Sequence, residues 1–201
     1  PAGPAGLARQ RLVGAVVGAR PAPLANTTIG DRRLETTGMG ALVCMGQKRD
    51  VLEKAAIIGT EATSVFGDPN NFTVVGADAD KGAFVPPMLF HCADPDNAQR
   101  GNDTEAFGPV STVMGYTDVD HAVALANKGQ GSLVASVITH DPNVARQVAL
   151  GAGAYHGRLY FNNRDSMKES TGHGSPLPHI FLVHTCPRPP TRTSSRLTTS
   201  P

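Results

Sequence analysis

Apolar residues recur with helical spacing in three parts of the chain. Val51, Leu52, Ala55 and Ile58 line up on one side while Lys48, Arg49, Asp50, Glu53 and Lys54 fall on the other. This predicts an amphipathic helix over residues 47–58. A second stripe, Val119, Ala122, Val123 and Ala126, has Thr117 or Asp118 placed to cap it. The third is fully punctuated, with Asp141 as cap, Pro142 at the first helical position, Val144, Ala145 and Val148 on one face, and Gly151 at the end. Leu7 to Val17 reads as a fourth helix, weakened by Gly14 and Gly18.

Short β-branched runs lie between these stripes. Residues 110–114, 133–139 and 158–161 read as strands, with weaker candidates at 73–75 and 88–90. From residue 109 to 162 the order is strand, helix, strand, helix, strand, which predicts an α/β fold with a parallel sheet and right-handed crossovers. The opening Pro1-Ala2-Gly3-Pro4-Ala5-Gly6 reads as a linker over residues 1–6, and residues 7–185 as the folded part. Residues 186–201 hold four Pro, three Arg, four Thr and three Ser, with Leu197 the one large aliphatic. That composition cannot build a core and predicts a disordered tail.

Composition narrows the picture. Aromatic residues are 5% and Trp is absent, so the core must come from Ala, Val, Leu and Ile. A net charge of +1 gives no electrostatic reason to expect nucleic acid or an anionic membrane. No apolar run approaches the ~20 residues a membrane helix needs, and the amino terminus carries no basic-then-apolar signal. Cys44, Cys92 and Cys186 are too few and too scattered for a disulfide framework, so a reducing cytoplasm is expected.

Several groupings suggest chemistry and fail on spacing. Gly129-Gln130-Gly131 follows a helix and precedes a strand, the reverse of a dinucleotide loop, and Gly151-Ala152-Gly153 ends a helix. Both read as turns. His173, His179, His184 and Cys186 match no zinc spacing, so no metal is expected. Cys44 stands just before a helix and Cys92 follows a weak strand, and each reads as an inert thiol.

The informative segment is Thr104-Glu105-Ala106-Phe107-Gly108-Pro109, running directly into a strand. By itself it is an ordinary turn with Phe107 packed and Glu105 solvated. Its surroundings make it more. Glu105 to Pro109 resembles the Glu-x-Phe-Gly-Pro motif of the aldehyde dehydrogenase superfamily. Pro86-Pro87-Met88-Leu89 upstream, Ala126-Asn127 closing the next helix, and the strand ending at Asn162 are similar to that family's neighbouring segments. Gly30-Asp31-Arg32-Arg33-Leu34 and Met39-Gly40-Ala41-Leu42-Val43 fit as well, with Arg32 where the family has Pro. The block from Lys168 to His179 resembles the semialdehyde dehydrogenase half of the phenylacetate ring-opening protein and its benzoyl-CoA-pathway relatives. The likeness covers roughly residues 7 to 184.

The resemblance implies the parallel-sheet catalytic, carboxyl-terminal part of the aldehyde dehydrogenase fold, incomplete. It implies NAD or NADP as cofactor, with Glu105 on the ribose hydroxyls of the nicotinamide end, Phe107 beside the nicotinamide ring and Asn162 at the substrate mouth. It implies a CoA-linked semialdehyde from aromatic catabolism as substrate, and the family's homo-oligomeric habit. In the family a cysteine thiolate attacks the aldehyde, and that Cys, the water-activating Glu, the oxyanion Asn and the Rossmann-like domain are expected to precede Pro1. Gly46-Gln47-Lys48-Arg49 echoes the family's Gly-Gln-x-Cys loop, but Arg49 holds the cysteine position and cannot form a thiohemiacetal. No catalytic residue is therefore assigned, and the chain alone is expected to be inactive. After His184 the chain departs abruptly from the family, as a frameshifted or degenerate end would. Two other readings compete: a generic aldehyde dehydrogenase of another subfamily, and a non-catalytic relic or interaction protein derived from this domain.

Overall fold

The structure is a computed structural model, and it describes residues 5–18 and 22–164. Strand β1 (Ala5–Arg9) leads into helix α1 (Gln10–Gly18), followed by the short α2 (Ala22–Ala25) and β2 (Ile29–Gly30). Helix α3 (Met45–Ile58) precedes β3 (Thr63–Phe66), β4 (Val74–Val75) and β5 (Met88–Cys92). Then come α4 (Arg100–Asp103), β6 (Val110–Tyr116), α5 (Val119–Lys128), β7 (Ala135–Ile138), α6 (Pro142–Ala152), a 3-10 turn (Gly153–Tyr155) and β8 (Leu159–Asn162).

The main sheet has the order β1-β6-β5-β3, parallel except for β3, which runs antiparallel to β5. β2 pairs with β4 and β7 with β8, each in a parallel two-stranded sheet. The β5–β6 register sets Met88 opposite Val110, Phe90 opposite Thr112 and Cys92 opposite Met114. Because side chains alternate across a strand, these six share one face. Helix α3 covers it: Val51, Ala55 and Ile58 pack with Val85, Met88, Phe90, Ala106 and Val110. Met114 and Cys92 continue that layer with Ala98, and Leu7 of β1 packs against them. Val13 of α1 is buried near Gly115 of β6.

The three punctuated helices form where their signals stand. Asp118 is the cap of α5, its carboxylate accepting the His121 amide at 2.9 Å, a bond that holds its pKa below the ordinary carboxylate range. Asp141 caps α6 through the Asn143 amide at 2.8 Å, with Pro142 in the first turn. That helix runs one residue beyond the expected Gly151, to Ala152, and Gly153 closes it. α3 begins at Met45, with the Cys44 thiol accepting the Gln47 amide at 3.5 Å.

Four expectations are corrected. The helix expected over Leu7–Val17 starts only at Gln10, because Ala5 to Arg9 form a ladder with Thr112 to Tyr116. A ladder to a central strand outweighs the local helical period of so short a segment. The same strand takes in Ala5 and Gly6 of the expected linker. The alternation from 109 to 162 does not make one sheet, since both edges of β6 are taken by β1 and β5, and β7 pairs instead with β8. The strand expected over 133–139 shortens to Ala135–Ile138, because Gln130 (φ 55°) and Gly131 (φ 128°) form a tight turn before it. Strand β3 has no clear alternation and was not foreseen; its pairing breaks register between Ser64 and Phe66. Its end needs a glycine: Gly67 has φ 83°, and a Cβ there would lie 2.1 Å from the Pro87 carbonyl oxygen.

The β7–β8 side is the less covered part. No residue of either strand is fully buried, and Leu133, Ile138 and Leu150 are exposed. The entry to β7 is held by Ser132, whose backbone pairs with Tyr155 and Gly157 and whose hydroxyl meets His156 Nδ1 at 2.7 Å. Burial pushes the His156 pKa below its ordinary 6.5, and its Nε2 is buried without a partner among the described residues. A histidine with a depressed folded pKa supports the fold while neutral: its stabilisation is complete above 6.5 and is lost as the pH falls below that value. Hydrogen exchange at the Ser132 and Gly157 amides is therefore expected to accelerate on going from about pH 7.5 to about pH 5.5, after correction for intrinsic rates. The variant His156→Asn, which keeps a hydrogen-bonding atom near Nδ1 but does not titrate, should flatten that dependence.

Candidate functional site

The Glu105–Pro109 turn joins α4 to β6, and its backbone is fixed at several points. The Gly108 amide donates to the Ala106 carbonyl at 2.7 Å, and Val110 to Gly108 at 2.8 Å. Met88, the first residue of β5, donates to the Pro109 carbonyl at 2.7 Å. The amide nitrogen of the Gln47 side chain donates to the Phe107 carbonyl at 2.7 Å, while its oxygen accepts the Val43 amide at 3.0 Å. Gly108 has no room for a side chain: a Cβ would lie 2.6 Å from Val51 Cγ2. The turn thus rests directly on α3.

Side chains alternate about this fixed backbone. Ala106 is buried in the main core cluster, whereas Phe107 is 65% exposed. Glu105 is half-buried, and its carboxylate makes no hydrogen bond or ion pair among the described residues. An anchored turn therefore carries, two residues apart, an exposed apolar ring and a half-buried carboxylate with no partner among the described residues. That pair suits a ligand with hydroxyl donors and a flat ring: a carboxylate accepts two hydroxyl hydrogen bonds, and an exposed aromatic offers a face. The reading of Phe107 as a packed residue is thus overturned for the turn taken by itself; Ala106 fills that role.

Asn162, the third residue singled out from the sequence, is carried by the other parallel sheet, at the end of β8. It lines a hollow of about 130 Å³ with Thr139, His140, Pro142 and Phe161, at the carboxyl ends of β7 and β8 and the start of α6. Such strand ends are where open parallel sheets take ligands. The larger groove, about 730 Å³, lies elsewhere, between Leu24–Ile29 and Phe66–Thr73, and includes none of the three.

Other candidates resolve into structure. Gly46 to Arg49 lie in the first turn of α3, so the loop-like echo is helical here. Sequence reasoning passed over Gln47, which ties that helix to Phe107; a glutamine at a helix start facing a distant turn leaves no local signal. Cys92 is buried, and burial raises its thiol pKa, which leaves it the unreactive protonated form. Cys44 is exposed. The Arg33 guanidinium bonds the Asp31 carboxylate and holds its pKa down to about 2, fastening the loop that contains Arg32. Among the described residues no group of His, Cys, Asp and Glu is placed to hold a metal, and no helix is long and apolar enough to cross a membrane. His173, His179, His184, Cys186 and the Lys168–His179 block lie outside the described residues.

The sequence profile of the aldehyde dehydrogenase family matches residues 7–174. Protein MaoC of Klebsiella aerogenes is 43% identical over 149 residues, covering 73% of this chain and 42% of that protein. The 3,4-dehydroadipyl-CoA semialdehyde dehydrogenase of Aromatoleum evansii is 37% identical over 185 residues, covering 92% of this chain and 35% of the relative. Among solved structures, a mutant of aldehyde dehydrogenase C from Pseudomonas syringae in complex with NAD+ and octanal superposes with a TM-score of 0.66 at 27% identity, over 79% of this chain and 31% of that one. A gamma-glutamyl-gamma-aminobutyraldehyde dehydrogenase from Burkholderia cenocepacia gives 0.66 at 28% identity, over 80% and 31%. The chain thus spans well under half the length of the proteins it matches.

Proposed function

The chain belongs to the aldehyde dehydrogenase family, and on that footing we propose that it forms the cofactor-facing part of an NAD(P)-dependent dehydrogenase for a CoA-linked semialdehyde. The observation that carries this reading is the anchored turn, with Phe107 65% exposed and the Glu105 carboxylate without a partner among the described residues. Glu105 accepts the ribose hydroxyls at the nicotinamide end, and Phe107 walls one side of the ring. NAD(P) held there would supply the hydride acceptor for aldehyde oxidation. The seat of the turn on Val51, Gln47 and Met88 holds the backbone that carries both residues in place. Asn162 stands at the substrate side, in its hollow at the ends of β7 and β8.

The substrate class follows from the Aromatoleum relative, whose own substrate is named as a CoA semialdehyde. Aromatic catabolism in the cytoplasm, including phenylacetate degradation, is the setting this reading favours. Residues 7–185 act in it as part of a catalytic domain, with residues 186–201 as a tail. The exposed Leu133, Ile138 and Leu150 support a reading in which further polypeptide of the enzyme covers the β7–β8 side. Cys44 caps a helix, and the buried Cys92 is held in its protonated form by desolvation, so in this reading the 201 residues alone do not turn over aldehyde.

A chimera tests the proposal. Residues 7–174 of this chain replace the matching segment of the Aromatoleum enzyme, and NAD(P)H formation is followed with a CoA-linked semialdehyde and with a simple straight-chain aldehyde. Turnover of the CoA-linked substrate by the chimera, and none by the 201-residue chain, is the expected result. A folded chimera that turns over neither substrate would refute the functional reading. A preference for the simple aldehyde would refute the substrate class.

A further inference from the structure

We infer that Glu61 is a positioning residue for the Glu105–Pro109 turn, acting through the backbone of residues 99–104; its functional meaning rests on the cofactor-contact reading above. Glu61 lies just beyond the end of α3, and its Oε2 accepts two successive amides from far along the chain, Gln99 at 2.8 Å and Arg100 at 2.7 Å. Those amides open α4, whose own cap residue, Gln99, makes no side-chain capping bond. The first amides of a helix have no partner inside it. A four-residue helix has almost no stability of its own, since nucleation fixes several residues for a single bond. The carboxylate of a distant residue therefore decides whether this turn of helix forms where it does.

What Glu61 fixes is passed on to the turn. The Asn102 and Asp103 amides return to the Gln99 carbonyl at 2.9 and 2.8 Å, and Thr104 donates to Arg100 at 3.0 Å. Asn102 and Thr104 are buried, and Gly101 lies against Met114, where a Cβ would come within 2.9 Å of its methyl. The segment is thus a tight bracket that ends one residue before Glu105. Downstream, Ala106, Gln47 and Met88 hold the turn. Upstream it is held through this bracket, and because the Glu105 carboxylate has no partner among the described residues, its aim follows the backbone that enters it.

The test is hydrogen exchange followed by NMR on the full 201-residue chain, comparing wild type with Glu61→Ala and Glu61→Gln. In Glu61→Ala the Gln99 and Arg100 amides should exchange on the order of tenfold faster or more, and the Gly108 and Val110 amides of the turn should accelerate with them, while Ala55 in mid-α3 keeps its rate. Glu61→Gln keeps an oxygen able to accept both amides, and should recover most of the protection. Acceleration confined to residues 99–103 would reduce Glu61 to a local cap and overturn the inference. Equal acceleration everywhere, Ala55 included, would mean global destabilisation and overturn it as well. The chimera decides separately whether the turn meets the cofactor, so failure there leaves the exchange result on Glu61 to be judged alone.

Discussion

Gly108→Ala is expected to lower the stability of the chain by about 2 kcal/mol, the usual cost of forcing one extra carbon into a filled core. The added Cβ would lie 2.6 and 2.8 Å from the two methyl carbons of Val51, and Val51 has no exposed surface and nowhere to retreat. Removing those methyls in Val51→Ala should by itself cost about 2 kcal/mol through the cavity left behind. Combined, the substitutions should cost less than their sum by about 1 kcal/mol or more, because the new methyl occupies part of the space vacated. Urea midpoints of the four proteins in this cycle supply the measurement. Strict additivity would show that Val51 does not limit the turn, and the account of its rigidity would fall.

The helices were legible because each carries its own local chemistry. Asp141 followed by Pro142 can hardly start anything but a helix, and the stripe from Val51 to Ile58 matches the face that α3 buries. Strand partners were less legible. Nothing in Leu7 to Arg9 says that a central strand waits 107 positions downstream, at Met114 and its neighbours. Likewise, the alternation after residue 109 specifies parallel crossovers but not which edge each strand finds. In the fold, one edge of β6 is held by β1 and the other by β5. The turn was found by its likeness to a family motif. What the motif could not reveal is how it is held: Gln47 and Glu61 act over 60 and 38 residues, and a contact between residues so far apart has no periodic trace in a single sequence.

The same separation bears on what the chain can do. Glu105 and Phe107 belong to the main sheet and its α3 cover, and Asn162 to the β7–β8 sheet, so the groups assigned to cofactor and substrate ride on different layers. The main layer has a closed core around Val51 and Met114, both with no exposed surface. The other layer has strands that are at best half-buried. The layer that carries Glu105 and Phe107 should therefore be the sturdier half, and exchange protection should be higher across β5 and β6 than across β7 and β8.

In the active chimera, the two residues proposed to face the cofactor are expected to fail differently. On the proposed contact, Glu105→Ala removes a charged acceptor from the ribose hydroxyls, a bond that would be worth about 1.5–3 kcal/mol. It should raise the KM for NAD(P) on the order of tenfold or more, with Glu105→Gln intermediate because its amide oxygen still accepts. Phe107→Ala leaves the ribose contacts intact and removes the surface against which the ring is aligned. Its main effect should be on kcat, on the order of a hundredfold, since small misalignments of a reacting pair are costly. The backbone offers no reason for either variant to unfold the turn, because neither side chain makes a bond that holds it. Gln47 grips the Phe107 carbonyl, which alanine retains. Activity within twofold of the parent chimera for both variants would separate the turn from the cofactor altogether, and would leave Phe107 as an exposed ring of no catalytic consequence.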